Sequence, residues 1–494
     1  MLAALVVSLR SELAAAQAEL VRSREQLGAA LERIAGLEAQ VSRTSKNSSQ
    51  PPSADGLSKG GPKPRSLRKK TGRRPGGQDG HEGRTLAQVA RPRYEVRHEP
   101  ACCGGCGNGL TGAPVTGAER RQVFDLPPVK VEVTEHQLIE RQCGCGHKTK
   151  GMAPAGVDAP VQYGSRITAI VLYLYGGQFL SKSRTAMALA ELFGIPLSSG
   201  TVAAMARRAA DGLARFTAQV RDRLAGAEVV HFDETGFRVA ARLHWVHVAT
   251  SPAWTLIICH ARRGLEGIRA LGVLPRFAGV AVHDAWAPYD TFTRSAPGPA
   301  LTPAGAAASG EQPGGPVHQL CTAHVQRELQ AVADTAGDGQ WCWASQACDA
   351  LVKLQGMVAD AIAGGRDPLD AAAVAQQTAC LRSAARIGLS QTRARSAPLM
   401  RKHNALARRL INREADYLRF LTDWRVPPDN NAAEREIRMI KVRQKVSGGM
   451  RTLTGAEQFC AIRSYLATAA KHGTCSFEAL VLLAEGHPWL PEDA

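Results

Sequence analysis

Two apolar runs that each end on an aspartate constrain this chain more than any other feature. Val229-Val230-His231-Phe232 runs into Asp233, and Val280-Ala281-Val282-His283 runs into Asp284, 51 residues later. Short apolar runs rich in β-branched residues predict buried strands. A carboxylate placed among them is costly unless something compensates it, such as a cation. Two strands that each deliver one Asp to a common edge form a site for a hard divalent ion, and Mg²⁺ favours such oxygen ligands. Glu228–Val239, His244–Ala249 and Trp254–Cys259 read as three strands with short connections, and Val280–His283 as a fourth. At 494 residues the chain is too long for one core. The expected fold class is therefore α/β and multidomain.

Two metal ions require a third acid. Asp429-Asn430-Asn431-Ala432-Ala433-Glu434-Arg435 opens a helix, with Asp429 or Asn430 as its candidate N-cap. Glu434 lies early enough to face a neighbouring strand edge. Glu436 is its rival, rotated by about 200° onto another face. A helical Glu taken alone reads equally as a solvated surface residue.

The charge is concentrated. Lys and Arg number 61 against 44 Asp and Glu, a formal +17. Residues 42–100 and 390–452 each carry a net +9, so the remainder is close to neutral. Two cationic stretches predict two contacts with a polyanion, nucleic acid before membrane. No apolar run of about 18 residues argues for a membrane span. The opening Met-Leu-Ala-Ala-Leu-Val-Val-Ser-Leu stops at Arg10 without the flanks of a signal peptide.

Residues 1–41 read as one helix. Val6, Leu13, Leu20, Leu27, Ile34 and Val41 recur every seven residues, with Leu9, Ala16, Ser23, Ala30 and Leu37 three positions after each. That a/d seam predicts a dimerising coiled coil, against the alternative of a helix packed on its own chain. Residues 42–98 read as a flexible basic arm, in which Lys69, Lys70, Arg73 and Arg74 are candidate phosphate contacts.

Residues 99–152 hold Cys103-Gly-Gly-Cys106 and Cys143-Gly-Cys145. Two thiol pairs beside glycines suit one tetrahedral Zn²⁺. Cys102, His136 or His147 could replace a ligand, since the second pair has a single intervening residue. Val129, Val131 and Val133 alternate as a strand between the pairs would. Twelve cysteines in a chain this long are too sparse for a disulfide scaffold, which fits a reducing, cytoplasmic setting.

Residues 160–222 read as helical. Ser183–Phe193 and Thr201–Leu213 flank a Gly194-Ile195-Pro196 break, a helix-turn-helix shape with Arg207 and Arg208 on its second helix. Residues 295–316 read as a Pro/Gly/Ala-rich loop and 317–426 as mainly helical.

These residues resemble those of the insertion sequence 66 family of transposases, DDE-type enzymes of bacterial mobile elements. The matches run collinearly. They begin with the leucine-rich helix, Ser45-Lys-Asn-Ser-Ser-Gln-Pro-Pro-Ser53, Gly76-Gly-Gln-Asp-Gly-His81 and the cysteine pairs. His231-Phe-Asp-Glu-Thr-Gly236, His283-Asp-Ala-Trp286 and Cys321-Thr-Ala-His324-Val-Gln-Arg327-Glu-Leu329 follow. Pro427-Pro-Asp-Asn-Asn-Ala-Ala-Glu434-Arg435 and Lys445-Val-Ser-Gly-Gly-Met-Arg451 complete the set. The resemblance implies an RNase H-like catalytic core over 225–455, with a helical insertion near 317–426 and a helical tail at 456–494. It matches Asp233, Asp284 and Glu434 to the family acids, holding two Mg²⁺ or Mn²⁺ ions. His324 and Arg327 would support that site, and Arg435, Arg438, Lys441, Arg443 and Lys445 would meet DNA. It implies cleavage and strand transfer at element ends on double-stranded DNA. It also implies a homodimer or higher oligomer, accessory proteins of the same element, and a nucleoid-associated location.

Overall fold

The structure, a computed structural model, describes residues 2–41, 86–293, 315–336, 340–365, 369–393 and 397–491. Lys69, Lys70, Arg73 and Arg74, and most of the 295–316 loop, lie outside them. The chain divides into two compact units, Leu57–Thr134 and Met1–Gly56 with Glu135–Ala494.

In the smaller unit the described residues run without helix or ladder. The strand expected through Val129, Val131 and Val133 does not form, and all three are exposed. Their alternation has no partner strand and no core face, so it carries no pairing register. Cys102 and Gly109 form an isolated bridge that closes the turn around Cys103.

The larger unit opens with helix α1, Leu2–Val41. Leu13, Leu20, Leu27, Ile34 and Leu37 on its heptad seam are each more than half exposed. Strands β1 (Glu140–Gln142) and β2 (Lys148–Lys150) form a small antiparallel hairpin. Helices α2 (Ser165–Leu172), α3 (Lys182–Phe193), α4 (Ser199–Gly212) and α5 (Ala214–Ala225) follow. The expected break between α3 and α4 forms as the local chemistry dictates. Ser181 and Ser198 cap the two helices through hydrogen bonds from Arg184 N–H and Thr201 N–H, at 3.3 and 3.0 Å. Gly194 ends α3 at φ +64°, where a side chain would be strained. Val202, Met205 and Leu189 bury the faces between the pair, and Arg207 and Arg208 are left exposed.

The central sheet has strand order β5-β4-β3-β6-β7. Strands β3 (Val229–Val239), β4 (Arg242–Thr250) and β5 (Thr255–His260) form an antiparallel meander. After α6 (Leu265–Leu271), β6 (Val280–His283) returns parallel to β3, and β7 (Val317–Leu320) parallel to β6. Strand β7 corrects the expectation that residue 317 opens a helical stretch. Two of its four residues are His318 and Gln319, both buried, so its hydrophobic pattern is masked. Gln319 is satisfied by donating to Leu320 O at 2.9 Å and accepting from Phe420 N–H at 3.2 Å.

The helical insertion therefore starts five residues later. It comprises α7 (Thr322–Ala333), α8 (Trp343–Ala363), α9 (Ala371–Thr392), α10 (Pro398–Asn412) and α11 (Glu414–Leu418). It has its own core around Trp343, Leu351, Leu354, Leu410 and Phe420. The chain then returns as α12 (Asn431–Ser447), α13 (Leu453–Lys471) and α14 (Ser476–Ala484). Ile437 and Ile440 of α12 join Val230, Phe232 and Phe237 of β3 in the main core. Among the described residues, no helix is long and apolar enough to cross a membrane.

Candidate active site

Strand register builds the site. His231 pairs with Val282 across β3 and β6, and Val282 with Gln319 across β6 and β7. Two residues further on, the same row reaches Asp233, Asp284 and Cys321. Asp284 and Cys321 directly follow β6 and β7, and Asp233 lies within β3 just past its last pair with β6, so all three stand at the edge where open α/β sheets place their ligands.

Helix α12 carries Glu434 to this row because it is tied to β3 along its length. At its start Asn430 is fully buried. Its Nδ2 donates to Phe232 O at 2.8 Å, and its Oδ1 lies 3.0 Å from His231 Nδ1. Its backbone N–H points at Cys321 Sγ, 3.2 Å away. Of the two candidate caps, Asp429 and Asn430, Asn430 holds the N-cap position, but its side chain makes no capping bond. Its amide instead takes up the Phe232 carbonyl just past the last β3–β6 pair. Asp429 serves the helix start, accepting from Asn431 N–H at 3.0 Å. In the middle, Lys441 Nζ donates to Gly236 O at 2.7 Å. At the end, Gly449 packs where a Cβ would meet Arg238 O at 2.7 Å, so only glycine lets Met450 bond to β3. Met450 N–H then donates to Arg238 O, and Met450 O accepts from Ala240 N–H, both at 2.8 Å.

The acids feel one another. Burial, then the charges of Glu234, Asp284 and Glu434, hold the Asp233 carboxyl well above the usual range. Asp284 is pushed up to about 7 by burial and by Glu234, against a lowering contribution from Arg263. Burial also raises Glu434, partly opposed by Arg327. Glu434 Oε1 lies 3.6 Å from His324 Nδ1 and 3.9 Å from Arg327 Nη2, both on α7. Its rival Glu436 faces elsewhere, 3.5 Å from Thr255 Oγ1 and within the field of Arg463 and Lys471.

A fourth acid, Glu234, was not anticipated. Alternation along β3 turns it to the side of Phe232, opposite Asp233. Arg263 grips its Oε1 with Nε and Nη2 at 2.9 and 2.6 Å, and Tyr289 donates to its Oε2 at 2.6 Å. The Arg263 guanidinium lies between the rings of Trp245 and Trp286, at 4.9 and 4.2 Å. Glu234 is thus a neutralised strut beneath the Asp284 loop. The sequence signal for it was the Asp-Glu pair itself: one of two adjacent strand acids must face the core. His283, fully buried, donates from Nδ1 to Asp284 O and meets His318 Nδ1 at 2.8 Å with its other nitrogen. Burial pushes His283 down to about 3, so it holds the loop as a neutral ring.

The α12 cations divide. Arg435, Arg438 and Lys445 are exposed. Arg443 is not a surface cation as expected: it is buried, donates to Gly448 O at 3.2 Å and lies over the Phe459 ring. Lys441 is likewise drawn into the fold by its bond to Gly236.

Each cysteine pair sits in a tight turn. Gly107 N–H donates to Cys103 O at 2.9 Å, and Gly146 N–H to Cys143 O at 2.8 Å. Both glycines are left-handed, at φ +77° and +87°, so the chain can double back there without strain. Backbone N–H groups of Cys106 and Gly105 lower the Cys103 thiol, and the N–H of Cys145 lowers Cys143. The thiolate that zinc requires is favoured in each turn, so the residues fit a zinc ion. His136, His147 and Cys102 are exposed.

Comparison with known families accounts for this layout. Residues 160–458, from α2 through the sheet and insertion to α13, match the model described as Transposase IS66 family. Residues 100–156 match the zinc-finger binding domain of transposase IS66. Residues 5–87 match a family of unknown function, DUF6444. A search of curated proteins returned no match. The molecule is a transposase with a zinc-finger domain, and its partner is DNA. The chain belongs to the Transposase IS66 family, as its motifs suggested.

Proposed function

We propose that Asp233, Asp284 and Glu434 are the metal-binding acids of a DDE-type active site on an RNase H-like sheet. In this reading the protein cuts the ends of an insertion element and joins them to target DNA. One observation carries the reading. The parallel register, continued two residues past its last pair, sets Asp233 of β3 beside Asp284 after β6, and α12, tied to β3 at its start, middle and end, carries Glu434 close enough for its charge to act on Asp233. Three half-buried acids, each raised by burial and one of them, Asp233, also by the charges of Asp284 and Glu434, with Arg263 committed to Glu234, fit divalent Mg²⁺ or Mn²⁺ as their compensating charge. Two such ions supply activation of the attacking oxygen and stabilisation of the leaving oxygen in an in-line phosphoryl displacement.

The chain's own residues do the remaining work. Asp233 within β3 and Asp284 just after β6 would present their oxygens to the ions, ionised once the cations are bound. Asn430 fixes the spacing of α12 from β3. The Arg263–Glu234–Tyr289 group and His283 keep the Asp284 loop from collapsing. Exposed Arg435, Arg438 and Lys445 neutralise backbone phosphates beside Glu434, and Arg207 and Arg208 on α4 meet DNA at a second place. The thiols of Cys103, Cys106, Cys143 and Cys145 serve structural Zn²⁺. The exposed seam of α1 pairs two chains as a coiled coil.

The test is cleavage and strand transfer on DNA carrying the element's own ends, with Mg²⁺ or Mn²⁺. Wild type is expected to cut and join, and to stop in EDTA. Asp233→Asn is expected to bind the same DNA without cutting it. Undiminished joining by Asp233→Asn overturns the assignment; cleavage with no joining would point to a nuclease instead.

A further inference from the structure

One cluster at the end of the carboxylate row lies outside the finger and shares only Glu434 with the proposed pair of hard ions. Cys321 precedes the first turn of α7, and His324 follows one turn later. Cys321 Sγ, His324 Nδ1 and a Glu434 carboxylate oxygen all lie within 4.8 Å of one another. His324 Nδ1 and Glu434 Oε1 face each other at 3.6 Å. Both atoms are buried, and neither has a hydrogen-bond partner among the described residues. Buried polar atoms are nearly always satisfied, so two orphans facing one another mark a place for a third species.

The chemistry narrows that species. Cys321 Sγ and His324 Nδ1 each turn a lone pair to that place, and Glu434 adds a carboxylate oxygen. The Asn430 N–H aimed at Cys321 Sγ supports a thiolate once one forms. A sulfur, an imidazole nitrogen and a carboxylate oxygen are a borderline-soft set, which suits zinc and not magnesium. A thiolate and a carboxylate together balance a dication. Arg327 therefore need not move, and the neighbouring Arg409 is already bonded to Glu328.

We propose that Cys321, His324 and Glu434 form a second transition-metal site, which takes one Zn²⁺ through Sγ, Nδ1 and a carboxylate oxygen. Three protein ligands leave the fourth position open, as in zinc sites that accept an exchangeable ligand. Glu434 is also the third acid of the proposed catalytic centre. Zinc at Cys321 and His324 then competes with Mg²⁺ for that carboxylate and slows strand transfer. This consequence rests on the catalytic reading; the binding itself does not.

The experiment measures binding first, on the full-length chain. Zinc content after dialysis is expected to be two ions per chain in wild type and one in both Cys321→Ser and His324→Ala. Equal zinc in all three proteins overturns the proposal. Co²⁺ titration checks the ligand in a chain whose finger cysteines 103, 106, 143 and 145 are serine. That chain is expected to show a thiolate-to-cobalt charge-transfer band that Cys321→Ser abolishes. Its absence, or its survival in Cys321→Ser, is the contrary result. Should Cys321→Ser not fold, His324→Ala in that background decides, with a loss of roughly 10-fold or more in Co²⁺ affinity expected and unchanged affinity overturning the site. Strand transfer with added Zn²⁺ separates the two ideas. Zinc that binds at Cys321 without inhibiting counts against Glu434 as a catalytic acid, and leaves the metal site standing.

Discussion

Replacing Asp284 by Asn should stabilise the metal-free protein, and by an amount that depends on pH. The Asp284 carboxyl is raised from 3.8 in the open chain to about 7 in the fold, chiefly by burial and by Glu234. The folded state therefore binds this proton more tightly than the unfolded state. Stability is then lost as pH rises, starting at the unfolded value and ending at the folded one. Each pH unit in that window costs about 1.4 kcal/mol. The full span of roughly three units amounts to about 4 kcal/mol at pH about 8. Asn does not ionise, so Asp284→Asn should avoid that loss. Urea unfolding in EDTA, followed by tryptophan fluorescence, measures it. The variant should match wild type near pH 4 and exceed it progressively up to pH about 7, with a constant gap above. Adding Mg²⁺ should raise wild type and leave the variant where it was. A gap independent of pH, or a variant less stable than wild type at pH about 8, would refute the reasoning that this acid is held at a cost until a cation arrives.

Asn430→Ala removes the bond to Phe232 O and the contact with His231, leaving buried groups unsatisfied at about 1–3 kcal/mol each. We expect a loss of roughly 2–4 kcal/mol in urea unfolding, with strand transfer reduced and DNA binding kept. Charge reversal at Arg435, Arg438 or Lys445 should lower the salt dependence of DNA binding by about one counterion each, read from binding at several salt concentrations. Arg443→Ala should instead lower thermal stability and leave that slope unchanged, because its guanidinium serves Gly448 and Phe459. Leu20→Glu with Leu27→Glu should reduce the assembly size seen by analytical ultracentrifugation, if the exposed seam of α1 joins two chains.

The parts of this molecule legible in its sequence are those written in short, local patterns. Val229–Phe232 and Val280–Val282 are apolar enough to announce strands, and their terminal aspartates stood out against that background. Gly194 and Pro196 marked the α3–α4 turn by backbone geometry alone. Strand β7 was hidden because His318 and Gln319 are buried with partners far along the chain, and nothing near them in sequence reports those partners. The valines at 129, 131 and 133 misled in the opposite way, alternating without a neighbour to pair with. At the candidate site, Asp233 and Asp284 stood out against their apolar strands, while only the family resemblance set Glu434 apart from Glu436 and named His324 and Arg327 beside it. Arg263, Tyr289 and Asn430 reach the acids only through the fold. Arg443 and Arg438 read alike in sequence, and packing alone sends one inward and leaves the other in solvent.

We propose above all that Glu434, carried by α12 beside Asp233 of β3, is the third metal-binding acid. Single-turnover strand transfer of a pre-cut element end in Mg²⁺ tests it most directly, comparing Glu434→Gln with Glu436→Gln. The account predicts that Glu434→Gln joins no DNA while Glu436→Gln, whose carboxylate faces Thr255, joins it as wild type does. Joining by Glu434→Gln, or its loss in Glu436→Gln with the fold intact, would contradict it.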